Sequence, residues 1–510
     1  MRYAYFPPPL PLRHRRTGFR VLLCALAVPV LLTPVAATMS GRVAAAPNDP
    51  PGAAAAAAAS GPRPNILLIE TDDQTVESLR VMDNVRRLLV RRGTTFTNSY
   101  VSWPLCCPSR ATVLTGQHAH NHGVIGNSAP RGGYYKLDST NTLPVWLRRA
   151  GYRTAHLCKY LNQYGTRNPR EVPRGWSEWR GSVDPTTYNY LDFTLNENGR
   201  LRRYRGRYQT DVYAKKAAAM VRRGASGKRP FFTWVAFTAP HTGRPHEPGD
   251  PRMSTPAVAD RHRNAFARRP VPRDRAFNEA NVSDKPRHIR RLPHIGEGTR
   301  AAIQESYRQR LEALLAVDEA VARILRALRE TGEARNTIVA FTSDNGFFHG
   351  EHRVSRGKNL LYEPSARVPL ILRGPGIPDG VTRTQPISNI DLAPTFVQAA
   401  RARPGRVPDG RSLLPLAQNP HAGQGRPVLL EGFSVNRYRL SRYAAVRTPR
   451  YFYAEYHYQN GKPRGAELYD MRRDPHQLRS RHADQAYAAI RARLAGQLRG
   501  LRECEGAACR

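Results

Sequence analysis

Two acidic pairs and one cysteine-bearing stretch hold the residue types that could do chemistry here. Asp72 and Asp73 close the run NILLIETDD, and Asp344 and Asn345 close the run IVAFTSDNG. Each pair follows a continuous apolar segment of the kind that forms a strand buried on both faces. In open parallel sheets, ligands sit in the crevice beyond the carboxyl ends of the strands. Three carboxylates and an amide delivered to one edge make an oxygen-rich nest. That suits a hard divalent cation such as calcium or magnesium rather than zinc. Either pair alone reads as readily as a helix cap; two matching pairs favour a metal. The third stretch is PLCCPSRATVLTGQHAHNHG, Pro104 to Gly123. Its adjacent Cys106 and Cys107 suit a metal clip, a disulfide or a nucleophile. A thiolate is a poor ligand for a hard cation, so Cys106 belongs with the acidic nest only if its side chain becomes oxygen-bearing. His118, His120 and His122 make a weak metal cluster beside an oxygen site, with His122 a candidate for lining the substrate.

The elements that must position these groups alternate. After the strand ending at Glu70, a helix is expected over Val76–Arg92 and another over Thr142–Gly151, closed by its glycine. YRTAHLC reads as a strand, and PFFTWVAFTAPH (Pro230 to His241) as a second strongly apolar one. Residues 242–300, rich in Arg, Pro and His, read as a long surface insertion. A helix over Ala301–Glu330 keeps an apolar stripe through Tyr307, Leu311, Leu314, Val321, Leu325 and Leu328, with Asp318 beside the stripe expected to make a structural pair, for example with an arginine. Strands follow at Asn336–Gly346 and Val368–Gly376. This alternation implies an α/β fold with a doubly wound, mostly parallel sheet flanked by helices. From about Pro404 the texture changes: Tyr443 to Asp470 alternates, with a turn at Asn460-Gly461, and Ala486–Leu501 is helical. A smaller C-terminal antiparallel sheet plus helix is expected. The expected divisions are 1–46 (export signal), 47–62 (Ala/Pro-rich tether), 63–403 (catalytic domain) and 404–510 (smaller α+β domain).

A chain of 510 residues, 40% of them hydrophobic, is long enough for two or three domains and is not disordered overall. Its formal charge of +40 arises from 80 basic against 40 acidic residues. That balance attracts polyanions. No zinc-finger spacing, basic zipper or aromatic RNA-binding motif accompanies it, so nucleic acid is not the expected partner. At the N-terminus, basic RHRRTGFR precedes the apolar VLLCALAVPVLLTPVAA and small-residue cleavage sites, the pattern of an export signal. A secreted or extracytoplasmic location follows, with a membrane-anchored form as the alternative. Of the six cysteines, Cys504 and Cys509 could close a small terminal loop in an oxidising compartment.

The string CCPSRATVLTG fits C-x-P-S-R-x-x-x-L-T-G, which resembles the signature of the type I sulfatases, on the alkaline-phosphatase-like fold. The likeness continues through GKNLLYEPSARVPLILRGPGI, ISNIDLAPTF, DGRSLLPL and ELYDMRRDP. Within the family, CCPSR, HNHGV, KYLNQYG, PRGWSEWRG and YNY are most similar to the N-acetylglucosamine-6-sulfatases and heparan endosulfatases. The long basic insertion of the endosulfatases is missing.

The resemblance implies that Cys106 is oxidised to formylglycine by a formylglycine-generating enzyme and that its hydrate is the nucleophile. Asp72, Asp73, Asp344 and Asn345 would hold Ca2+, with residue 106 completing the site. Arg110 would steady the hydrate, Lys159 and Lys358 would bind the sulfate, and His241 would contact it and help protonate the leaving alkoxide. The implied reaction is covalent: one hydroxyl attacks sulfur, the alcohol leaves, and deprotonation of the other hydroxyl re-forms the carbonyl and expels sulfate. Many sulfatases carry a second histidine two residues after the first lysine; here that residue is Leu161, so more of the proton transfer rests on His241. The expected substrate is a sulfated glycan or another sulfate ester. A broad arylsulfatase and a phosphate or phosphonate hydrolase on the same fold are the alternatives.

Overall fold

The computed structural model describes residues 61–510, apart from 252, 436–439 and 459. The export segment 1–46 and nearly all of the tether 47–62 lie outside the described residues. Residues from Pro62 to Arg510 form one compact unit.

Its centre is a ten-stranded sheet in the order β11-β2-β10-β9-β1-β8-β4-β5-β6-β7. The strands are β11 (Val381–Arg383), β2 (Thr94–Phe96), β10 (Leu370–Arg373), β9 (Thr337–Ser343), β1 (Asn65–Thr71), β8 (Phe231–Ala236), β4 (Arg153–Cys158), β5 (Glu178–Ser182), β6 (Asp192–Glu197) and β7 (Arg200–Arg205). The middle run β9-β1-β8-β4-β5 is parallel. Antiparallel strands flank it, β10 on one side and the β6–β7 hairpin on the other. Strands β1, β8 and β9 are buried along their whole length, because their uninterrupted apolar sequences are covered on both faces. Alternation splits β1 between two cores. Leu67 and Ile69 pack under the helices Gln209–Ala225 and Glu297–Glu330. Ile66 and Leu68 pack under the Cys106–Thr115 and Leu143–Arg149 helices. A short parallel pair, β3 (Ser99–Tyr100) with β12 (Ile387–Ser388), lies apart from the sheet.

The C-terminal sheet is antiparallel: β13 (Val428–Val435), β14 (Leu440–Arg447), β15 (Tyr451–His457) and β16 (Pro463–Asp470). Asn460 and Gly461 turn the chain between β15 and β16, with Gly461 at φ 79°. One face carries Leu494 and Leu498 of the helix Ala488–Glu503. The other packs against Tyr100, Phe348, Leu360 and Tyr362. Cys504 and Cys509 form a disulfide.

Three expectations need correction. Val76–Arg92 is not one helix but three short ones, Glu77–Val81, Asp83–Leu88 and Val90–Arg92. The break at Met82 has a tertiary cause. Asp318 accepts hydrogen bonds from the Asn84 and Val85 amides (2.9 and 2.8 Å) and from the Asn84 side chain (2.8 Å), so a carboxylate on another helix starts the middle segment. Asp318 therefore pairs with backbone amides rather than with an arginine. The insertion 242–300 is not confined to the surface either: Met253, Ala257, Ala259, Val271 and Ile295 enter the main core.

Candidate active site

β1 and β9 are parallel neighbours, with Thr71 opposite Ser343. The residues after each strand therefore emerge side by side at one sheet edge. The Asp344 amide donates to Thr71 O (3.0 Å) and the Asp73 amide to Asp344 Oδ1 (3.2 Å). Asp73 takes a left-handed conformation, φ 67°, which turns the chain out of the strand. The Asn345 amide group donates to Asp73 Oδ1 (2.5 Å). Its own Oδ1 is buried with no hydrogen-bond partner. Such an orphaned carbonyl costs about 1–3 kcal/mol.

Cys106 opens the Cys106–Thr115 helix, and all ten residues of that helix are buried. Its Sγ lies 3.5 Å from Asp72 Oδ1 and 2.9 Å from Lys358 Nζ. One turn later, Arg110 reaches Asp344 Oδ2 (2.8 Å), the Lys159 carbonyl (2.9 Å), Glu70 Oε2 (3.2 Å) and Asp72 Oδ2 (3.4 Å). Lys159 follows β4 and pairs with Asp72, while Lys358 pairs with Asp73. His241, in the loop after β8, places Nε2 3.8 Å from Asp73 Oδ2. Its Nδ1 lies 2.6 Å from Thr242 O. A carbonyl can only accept, so Nδ1 carries the proton and Nε2 offers its lone pair to the cleft. Ligand atoms of Asp72, Asp73, Cys106 and His241 all lie within 4.8 Å of one another.

Burial dominates the electrostatics. It disfavours ionised Asp72, yet Lys159, His241, Lys358 and Arg110 together hold that carboxyl below the usual range. Burial pushes the Cys106 thiol up to about 12, with Asp72 adding to the effect, so an unmodified thiol stays protonated at neutral pH. Burial also draws His241 down to about 4 against the pull of Asp72 and Asp73. The donors at this edge are carboxylates and one orphaned amide oxygen, and they fit a hard divalent cation. A sulfur at position 106 does not fit such an ion, whereas an oxygen-bearing side chain there does.

The structure thus brings together Asp72, Asp73, Cys106, Arg110, Lys159, His241, Asp344, Asn345 and Lys358. His122 stands apart. Its Nδ1 accepts from the Val124 amide and its Nε2 meets Thr112 Oγ1, each at 3.1 Å, so both ring nitrogens are spent inside the fold. Three neighbours went unassigned in the sequence. Glu70 sits beneath the cluster against Arg110, with burial raising its carboxyl to about 8; an acid inside an apolar strand was the visible signal. Arg310 donates to the Asp73 carbonyl (2.6 Å) and lies 3.9 Å over the Phe347 ring. Its signal was a guanidinium within an apolar helical stripe. Tyr188 packs its ring 4.6 Å from that of His241 and 5.0 Å from Lys159 Nζ, and accepts from Asn162 Nδ2 (2.9 Å). It lies in the YNY string, which carried the resemblance but assigned it no role.

The family model described as Sulfatase matches residues 64–402. That described as N-sulphoglucosamine sulphohydrolase, C-terminal, matches residues 350–504. An arylsulfatase of Volvox carteri is 33% identical, covering 88% of this chain and 76% of the relative. The N-acetylglucosamine-6-sulfatase of Homo sapiens is 32% identical, covering 88% and 86%. A solved structure described as a complex with its substrate D-glucosamine-2-N,6-O-disulfate superimposes with a TM-score of 0.71 at 25% identity, over 87% of this chain and 98% of that one. The phosphonate monoester hydrolase of Agrobacterium radiobacter shares the fold, with a TM-score of 0.65 at 22% identity.

Proposed function

Because this chain belongs to the sulfatase family, we propose that it hydrolyses sulfate esters of sugars, with an N-acetylglucosamine-6-sulfate-like group as the preferred substrate. We propose further that it works with Ca2+ and with formylglycine made from Cys106 by a formylglycine-generating enzyme. The observation that carries this reading is the position of Cys106. It lies within the C-x-P-S-R string, at a buried helix start, between Asp72 and Lys358. In the formylglycine form, residue 106 supplies a hydrated aldehyde as oxygen nucleophile. Asp72, Asp73, Asp344 and Asn345 would hold the calcium ion, which would supply Lewis-acid polarisation of the sulfate.

The chain's own residues do the rest. Lys159, against Asp72, and Lys358, against Asp73 and Cys106, place positive charge where a sulfate oxyanion would lie. Arg110 ties Asp72 and Asp344 into one rigid unit, so the carboxylates do not drift apart when the substrate arrives. His241, with its Nδ1 proton committed to Thr242, presents Nε2 to take the proton that the attacking hydroxyl of residue 106 gives up and to pass it to the leaving sugar oxygen. Tyr188 packs against both His241 and Lys159 and limits their movement. The expected export signal and the Cys504–Cys509 disulfide support action outside the cytoplasm.

Mass spectrometry of the peptide carrying residue 106 tests the reading, together with turnover of 6-O-, 2-O- and 4-O-sulfated sugars and of aryl phosphate. Active protein should show the aldehyde or its hydrate, and Cys106→Ala should show no turnover. Unmodified cysteine in active protein, or faster hydrolysis of the phosphate than of any sulfate, would sink it.

A further inference from the structure

A second basic feature lies outside this centre. Residues 265, 266 and 268–273 wall a surface groove of about 1040 Å³, together with Glu77 and Arg80. Arg80 is paired with Glu77, the one acid in its lining. The three other arginines, Arg268, Arg269 and Arg273, form no ion pair among the described residues. Two arginines earlier on the same segment behave differently. Arg261 is paired with Asp211 and Glu319, and Arg263 with Glu247 and Asp260. Arg268, Arg269 and Arg273 thus bring three uncompensated charges to one groove.

The groove is also held in shape. Gln304, on the Glu297–Glu330 helix, clamps the segment from both sides of Pro270: its amide donates to Arg269 O (2.6 Å) and its Oε1 accepts from Val271 N (2.7 Å). Arg308 adds a second bond to Arg269 O (3.1 Å), and Glu312 accepts from Phe266 N (3.0 Å). The Arg269 guanidinium rests 5.0 Å from the Phe266 ring and that of Arg273 5.9 Å from the Phe277 ring. Stacked guanidiniums are planar, permanently charged and weakly hydrated, and their donors match sulfate or carboxylate oxygens in pairs. Single-stranded nucleic acid would need open ring faces for its bases. Here one face of each ring is taken by an arginine.

We propose that Arg268, Arg269 and Arg273 form a non-catalytic site that holds a sulfated polysaccharide chain. The choice of a sulfated chain over other polyanions rests on the sulfatase reading; the binding site itself does not. Tethering a polymer here raises its local concentration and favours polymeric over small substrates.

The test compares the full chain with Arg268→Gln/Arg269→Gln/Arg273→Gln. Arg261→Gln/Arg263→Gln serves as a control that removes paired charge from the same loop. Binding to immobilised heparin is measured against salt, and KM against heparan sulfate and a small aryl sulfate. Each charge neutralised contributes about 0.7–0.9 to the log–log salt slope of polyanion binding, so the triple variant should lose about 2–3 from it. Its KM for heparan sulfate should rise about ten-fold, while kcat and the aryl sulfate constants stay unchanged; that combination supports the site. An unchanged slope, an equal loss in the control, an equal loss on the aryl sulfate, or tighter binding of duplex DNA than of heparin would overturn it. Absence of turnover of heparan sulfate, of the sulfated sugars and of the aryl sulfate in the parent would refute the sulfatase reading while leaving the heparin slope to judge the groove.

Discussion

Removing Arg110 should damage the fold as well as the chemistry, and the two can be measured apart. The guanidinium is fully buried and contacts the carboxylates of Glu70, Asp72 and Asp344 and the Lys159 carbonyl. Arg110→Ala removes the counter-charge nearest Glu70 and Asp344. Breaking a buried ion pair by deleting one partner costs about 3–5 kcal/mol. Lys159 and Lys358 still face Asp72 and Asp73, so the loss should stay within that range rather than multiply by the number of acids. Arg110→Lys keeps the charge but loses the fork: an ammonium cannot meet Asp344 and the Lys159 carbonyl as a guanidinium does. It should cost less, about 1–3 kcal/mol, for the partners left unsatisfied. The assay is urea unfolding followed by tryptophan fluorescence, because Trp146, Trp176, Trp179 and Trp234 share the core under the Cys106 helix. Carrying both changes in a Cys106→Ala background removes catalysis from the comparison. A loss below about 1 kcal/mol for Arg110→Ala, or equal losses for the two variants, would refute the view that the guanidinium organises the acidic edge.

Three further outcomes follow from the same contacts. Chelation should lower the unfolding temperature and calcium should restore it; a ligand at a hundred- to a thousand-fold its Kd contributes about 2.7–4.1 kcal/mol, and an unfolding temperature indifferent to chelator would remove the metal. Asp318→Ala strips the caps from two backbone amides of the Asp83–Leu88 segment. It should cost about 2–4 kcal/mol in denaturant unfolding, with Asp318→Asn costing less because one acceptor oxygen survives; equal costs would argue against the cap. His120 bridges Glu431 (2.8 Å) and the Cys504 carbonyl (2.9 Å). Burial opposes its charge, but Glu431 and Cys504 O outweigh burial and raise it above 6.5. The raised value means that its stabilisation is complete below the unfolded-state value and fades as pH climbs through the folded one. Unfolding midpoints at about pH 6 and pH 8 should therefore converge in Glu431→Gln relative to the parent, and an unchanged difference would count against the pair.

Local sequence revealed those parts of the fold whose cause is local. β1, β8 and β9 were visible because strands buried on both faces must be apolar throughout. The two acidic pairs were visible because they follow such strands, and the C-x-P-S-R string because its spacing is fixed. What stayed hidden depends on distant partners. The break at Met82 is imposed by Asp318, more than two hundred residues away in sequence. Arg310 looked like an interruption of a helical stripe until the helix lay against Asp73. His122 has the same residue type as a ligand or a base, and only its two hydrogen bonds show that both nitrogens are occupied. The insertion 242–300 has the composition of a surface loop, yet a few apolar residues spaced along it are enough to draw it into the core.

Among the described residues, the C-terminal region sends no side chain into the acidic cluster, yet it bears on the orientation of Cys106. The Cys106–Thr115 helix has no side-chain cap at its start and ends at Gly116 in a left-handed conformation, φ 68°. From there Gly116 O accepts from the Asp409 amide (2.8 Å). The Asp409 carboxylate accepts from His118 N (2.6 Å), Asn121 Nδ2 (2.9 Å) and Gly506 N (2.7 Å), the last of these inside the disulfide loop. At the other end, Asn359 N donates to Pro104 O (3.0 Å), and Asn389 Nδ2 donates to Ser109 Oγ (3.0 Å). The helix that bears the proposed nucleophile is therefore gripped at both ends by later parts of the chain, and its apolar flank fills a core. A centre whose groups must be placed to within a fraction of an ångström needs support of this kind. The C-x-P-S-R string is thus held by partners on both sides of it in sequence, from Glu70 and Asp72 to Asp409 and Gly506.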